Sequence, residues 1–212
     1  MIAIVDYGAG NVASVHRAIT HVGGAATLTA DPTLLRSADM LVVPGQGHFG
    51  QAMGKLRATG LDAVLRDHAA AGRPLIGVCL GVQILFAHSE EAPGVAGLGL
   101  LAGTVRKFAA VDDAGDRVKI PQIGWNHIAL TQRGTPLDAI GDDACVYFVH
   151  SYHVVPDDDA VIAATAVHGQ RFVAAVARDN LFAVQFHPEK SGETGLALWS
   201  AILGQDSWRR PC

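Results

Sequence analysis

The chain has 212 residues, 50% of them hydrophobic and 17% charged, with a net charge of −4. That is enough apolar material for one large domain spanning 1–212. Lys and Arg form no long runs and no apolar stretch reaches membrane-spanning length, so neither nucleic acid nor a membrane is expected as a partner. The chain opens directly on a strand rather than a signal peptide. Its cysteines are Cys79, Cys145 and Cys212, an odd number without CxxC spacing. They fit a reducing cytoplasm better than a disulfide framework or a zinc site.

Ile2 to Val5 is a short apolar strand, followed by the flexible loop Asp6-Tyr7-Gly8-Ala9-Gly10-Asn11. Val12, Val15, Ala18, Ile19 and Val22 recur at helical spacing up to Gly23-Gly24. Ala26 to Thr29 reads as a second strand, Asp31-Pro32 as the start of a short helix or turn, and Met40 to Val43 as a buried third strand. Pro44-Gly45-Gln46-Gly47 stops that strand, and a helical stretch is expected over Phe49 to Ala71. Leu75 to Val78 is a further strand entered through Pro74, and Leu80 to Ala87 has the composition of a buried helix. Strands alternating with helices predict an α/β fold with a mostly parallel sheet covered on both faces. The loops at Gly8–Asn11, Gly45–Gly47 and Gly77–Cys79 would then share the sheet's carboxyl edge, where function gathers.

After Pro93 the pattern becomes antiparallel. Strand-like runs occur at Leu101–Phe108, Ile120–Ile123, His127–Leu130, Val146–Val155 and Val161–Val167. Phe172–Ala177 and Leu181–Phe186 read as a hairpin, and a helix over Thr194–Leu203 returns to cover the sheet. Val111–Arg117 and Asp157-Asp158-Asp159 read as solvated turns without the ligand series of a calcium loop.

Gly77-Val78-Cys79-Leu80-Gly81 has the spacing of a nucleophile elbow with cysteine in the serine place. A strand turning at once into a helix strains its corner residue, and flanking glycines let neighbouring backbone pass close by. The corner thiol then faces N–H groups at the helix start, which favours thiolate and offers an oxyanion donor from Leu80. A lone cysteine in an apolar run is commonly core filler, so a base is required before the elbow means chemistry.

Among ten histidines, His150 and His153 suggest a metal pair, but three apart on one strand they would face opposite sides. No helical metal spacing occurs either, so no metal is expected. His187 ends an apolar strand and is followed by Pro188-Glu189. Two apart on extended backbone, His187 and Glu189 would share a side, the carboxylate holding the imidazole while its other nitrogen meets a thiol. With the elbow, this reads as a Cys79–His187–Glu189 triad.

The elbow continued to Gln83, Pro44-Gly45-Gln46-Gly47 and Phe186-His187-Pro188-Glu189 together resemble the class I (triad) glutamine amidotransferases. Asp6–Asn11, Pro121–Asn126, Tyr147–Tyr152 and Pro188–Ser191 are similar to the glutaminase subunits of imidazole glycerol phosphate synthase, over essentially the whole chain. The resemblance implies a single amidotransferase domain with a central, mostly parallel sheet flanked by helices and an added antiparallel region in the C-terminal half. It implies a cofactor-free glutaminase in a heterodimer of histidine biosynthesis, passing ammonia to a (β/α)8-barrel cyclase subunit. It assigns the oxyanion donors to Leu80 and to the loop at Gln46 and Gly47. Gly45, Gly47, Gln83, Ser151 and Tyr152 would bind glutamine. Asn11, Trp125, Asn126, Tyr147 and Lys190 would meet the cyclase, with Trp125 an exposed anchor in a polar turn. Gln46 stands where the family usually has valine, a change that keeps the backbone N–H. The glutaminase of another synthase, such as the anthranilate or pyridoxal phosphate systems, and a catalytically silent scaffold subunit are the alternatives.

Overall fold

The computed structural model describes residues 1–204, so Cys212 lies outside the described residues. β1 (Ile2–Val5) leads through α1 (Val12–His21) to β2 (Ala26–Thr29), and α2 (Pro32–Ser37) leads to β3 (Met40–Gly45). The start of α2 follows from its sequence: Pro32 sits at the first helical position and the Asp31 carboxylate accepts from the Thr33 N–H at 2.8 Å. The long helix expected from Phe49 to Ala71 is two helices, α3 (Phe49–Ala58) and α4 (Leu61–Ala70), before β4 (Leu75–Cys79). Gly60, at φ +68°, breaks it, because that left-handed conformation suits glycine and ends helical hydrogen bonding.

The buried helix expected over Leu80–Ala87 is also shorter. α5 is a single turn, Leu80–Gln83, and Phe86–Ser89 is strand β5. The carbonyls of Ile84, Leu85 and Ala87, which a continuing helix would use, accept instead from Leu98, Leu100 and Gly97, each at 2.8 Å. Tertiary hydrogen bonds override local composition here.

The second half adds β6 (Leu101–Lys107), β7 (Gln122–His127), β8 (Ala129–Leu130), β9 (Cys145–His150), β10 (Tyr152–Pro156), β11 (Ile162–His168), β12 (Gln170–Arg178) and β13 (Leu181–Val184), closed by α6 (Gly192–Gly204). The main sheet has the order β2-β1-β3-β4-β13-β12-β11-β8. Pairing is parallel from β2 to β13 and antiparallel beyond. Alternate residues of one strand enter opposite cores: Leu41 and Val43 go to the face under α2–α4, Met40 and Val42 to the face under α1 and α6. Burial on both faces explains the near-continuous apolar runs of the parallel strands. Trp199, fully buried on α6, seals the second face.

Val146–Val155, expected as one strand, breaks at Ser151 into two strands of different sheets: β9 pairs with β7 and β10 with β6. The break corrects the expectation that His150 and His153 face opposite sides. Both rings pack on Phe108, with centroids 5.1 and 4.9 Å away.

Candidate active site

Cys79 is both the last residue of β4 and the cap of α5, with φ +54° and ψ −108°. A non-glycine residue held there costs on the order of 1–3 kcal/mol, which surrounding packing must supply. The glycines around it are required by close approach. A Cβ at Gly81 would stand 2.0 Å from the Val43 carbonyl oxygen, and one at Gly77 would stand 2.9 Å from Ala183 Cβ. Gly45 pairs with Cys79 across β3 and β4, and a Cβ there would meet Leu80 Cβ at 2.6 Å. Gly45 is thus packed beneath the elbow and does not line the cavity.

The sheet closes the sequence gap between thiol and base. Val184 pairs with Val78 in parallel register, which carries His187 to the same carboxyl edge as Cys79. The His187 N–H donates to the Tyr147 carbonyl at 2.9 Å, and Ser191 Oγ donates to the His187 carbonyl at 2.7 Å. Glu189 Oε1 lies 2.7 Å from His187 Nδ1, both side chains almost fully buried. The pair forms by another route than expected: Pro188–Lys190 is a 3-10 turn, not extended backbone, and the turn brings the carboxylate to the ring's Nδ1. Burial opposes charge on His187, but the Cys79 sulfur and the hydrogen-bonded Glu189 carboxylate outweigh it, pushing the pKa up to about 9. His187 Nε2 completes no hydrogen bond among the described residues, although Cys79 is near enough to act on the ring. Catalytic contacts commonly stand loose in this way until substrate tightens them.

A cavity of about 390 Å³ opens above the thiol. Gln46, Gly47 and Leu80 line it beside Cys79, together with Gln83, Ser151, Tyr152 and Lys190. Every predicted oxyanion and substrate residue except Gly45 therefore meets in one place. Among the described residues no cluster of His, Cys, Asp or Glu could hold a metal ion.

Three residues were not anticipated. Gln185, fully buried, places Nε2 3.7 Å from Cys79 Sγ; a glutamine inside the apolar run Phe182–Phe186 was the available signal. Tyr7 donates to the Pro44 carbonyl at 2.9 Å next to the elbow, and burial, then the charge of Cys79, push its phenol up so that it stays protonated. Glu91 lines the cavity while its Oε2 accepts from the Phe49 N–H at 2.6 Å; nothing in its local sequence marks it.

The expected partner residues divide. Trp125 is 56% exposed, on strand β7 rather than in a polar turn, with Ile123 58% exposed on the same pleat face. Trp125 meets the Tyr147 ring edge-on, and Lys190 Nζ lies 5.8 Å from that ring's centre. Asn126 faces the other side of β7, its amide donating to the Val167 carbonyl at 2.8 Å. Asn11 precedes α1 without a side-chain cap.

The glutamine amidotransferase class-I family model matches residues 3–199. Imidazole glycerol phosphate synthase subunit HisH of Deinococcus radiodurans is 49% identical over 93% of this chain and 90% of its own length. HisH of Syntrophotalea carbinolica is 44% identical over 93% and 97%. The structure of PurLQS from Thermotoga maritima superposes with a TM-score of 0.69 at 20% identity, over 95% of this chain and 96% of that one, a likeness of fold. The chain belongs to the class-I glutamine amidotransferase family and, within it, to the HisH subunits of imidazole glycerol phosphate synthase.

Proposed function

We propose that this chain is the glutaminase subunit of an imidazole glycerol phosphate synthase, hydrolysing glutamine through Cys79, His187 and Glu189. The observation that carries the reading is the strained Cys79 corner beneath the cavity, with the buried His187–Glu189 pair on the same sheet edge.

The Cys79 thiolate attacks the side-chain amide carbon of glutamine, and His187 hands a proton to the departing ammonia. Glu189 holds the imidazole and stabilises its charged form. Water, deprotonated by His187, then cleaves the thioester, releasing glutamate and restoring the thiol. The tetrahedral oxyanion is met by the Leu80 N–H and by an N–H of the loop at Gln46 and Gly47; losing one such donor typically costs about 100- to 1,000-fold in rate.

Gln83 commits its nitrogen to Tyr152 O and Gln185 Oε1, at 3.0 and 3.1 Å, so its oxygen is the atom offered to the substrate's α-ammonium. Glu91 adds negative charge on the same cavity for that ammonium. The Ser151-Tyr152 backbone and Gly47 complete the glutamine site. Ammonia then passes to a (β/α)8-barrel cyclase subunit, which converts phosphoribulosyl-formimino-AICAR phosphate into imidazole glycerol phosphate and AICAR. Ile123 and Trp125, two large exposed apolar side chains side by side, give that partner an anchor beside Tyr147 and Lys190.

In the complex reconstituted with a cyclase subunit, Cys79→Ala should abolish glutamine-dependent synthesis and spare ammonia-dependent synthesis. Loss of both would make Cys79 structural, and retention of both would remove it from the reaction.

A further inference from the structure

Gln185 is a fully buried amide just beyond β13, its own N–H donating to the Ala174 carbonyl at 2.8 Å. Its side-chain Nε2 lies 3.7 Å from Cys79 Sγ, and its Oε1 accepts from Gln83 Nε2 at 3.1 Å. That same Gln83 nitrogen donates to the Tyr152 carbonyl at 3.0 Å. The orientation of both amides follows from this one backbone oxygen. A carbonyl only accepts, so the end of Gln83 facing Tyr152 is nitrogen. An amide nitrogen only donates, so the atom of Gln185 facing Gln83 is oxygen. The nitrogen of Gln185 is thereby turned to the sulfur, and the reverse orientation would leave two donors opposed in a buried site.

Resting on the reading of Cys79 as the nucleophile, we propose that Gln185 is a further catalytic donor that hydrogen-bonds the Cys79 thiolate, with Gln83 and the Tyr152 carbonyl as the positioning groups that keep it turned to the sulfur. A thiolate accepts far better than a thiol, so an N–H aimed at sulfur favours the ionised nucleophile. The chain of amides starts in the cavity wall at Tyr152 and ends on the reacting atom, joining the glutamine site to the nucleophile by three hydrogen bonds. The charged and titratable groups facing this region are Tyr7 from the β1–α1 loop, His187 and Glu189 from the turn after β13, and Glu91, His150 and Lys190 from the cavity walls. Gln185 carries no charge, so removing its donor leaves that field intact.

The test is alkylation of Cys79 by iodoacetamide across pH, read on the Cys79 peptide by mass spectrometry, in the wild-type chain and in Gln185→Met. Labelling of wild-type Cys79 by a glutamine-mimicking diazoketone first establishes the nucleophile; its absence defeats the triad reading, not the amide chain. The Gln185→Met midpoint should rise by about one pH unit, a roughly tenfold slower labelling below the midpoint. An unchanged profile in a folded Gln185→Met protein, with wild-type labelling intact, overturns the proposal. Should Gln185→Met not fold, Gln185→Leu removes the donor without adding charge; the midpoint must again rise, and no rise overturns the proposal. Gln83→Leu should shift the midpoint the same way by less, and no shift removes its positioning role.

Discussion

The turn at His187 and the aromatic layer at His150 bury the same side chain almost equally, 1% and 6% exposed, and shift its pKa in opposite directions. At His150, burial dominates. The ring packs against Phe108, Phe148 and Phe172, its Nδ1 lies 2.8 Å from the Tyr152 carbonyl, and its Nε2 has no partner among the described residues. A second proton would sit on a buried nitrogen with no acceptor, so the pKa falls to about 3. At His187 a carboxylate 2.7 Å away and the nearby sulfur reverse the outcome. Burial alone makes a histidine structural; burial with a carboxylate behind it makes an acid–base group.

Glu189→Gln strikes this contrast hardest. Without the carboxylate, burial should pull the His187 pKa down from about 9, and glutamine turnover should fall by about 100-fold or more. Steady-state glutamate release across pH checks it. Turnover within a few-fold of wild type would show that Glu189 does not orient the base.

A smaller effect separates the two sites by the sign of their pH dependence. The folded pKa of His150 lies below the ordinary 6.5, so its contribution to stability is present above pH 6.5 and is lost as pH falls toward 3. His68, lowered to about 4 chiefly by burial, adds to the same acid loss. His187, raised from 6.5 to about 9, contributes stability below pH 6.5 that is lost as pH rises through about 9. Denaturant unfolding from pH 7 to 4 should show wild-type stability falling more steeply than that of a folded His150→Gln variant, the difference approaching about 1.4 kcal/mol per pH unit. Equal slopes would mean that His150 is already protonated in the folded chain.

The half of the molecule that carries the candidate site was largely legible in the sequence as a fold. β1, β3 and β4 are buried on both faces, so they stand out as apolar runs, and the loops at their carboxyl ends carry the candidate site. The elbow glycines carried a steric message that the Gly81–Val43 contact makes explicit. Legibility failed where distant pairing decides. The carbonyls of Ile84, Leu85 and Ala87 are claimed by residues 97–100, and no local pattern at Leu80–Ala87 announces that. The break at Ser151 separates strands whose partners, β7 and β6, lie far back in the chain. Glu91 and Gln185 reach the site only through tertiary packing, so neither residue's neighbours spell out its role. Trp125 and Asn126, adjacent in sequence, part company because successive residues of a strand point to opposite faces.

The most direct test of the central claim is glutamate release by this chain alone, with a cyclase barrel subunit, and with that subunit carrying its nucleotide ligand. Low turnover alone, rising strongly in the full complex, is the result expected of a triad coupled to a partner across the face of Trp125 and Lys190. Brisk turnover indifferent to the barrel would keep the triad and contradict the partnership, and no turnover in any state would contradict the glutaminase itself.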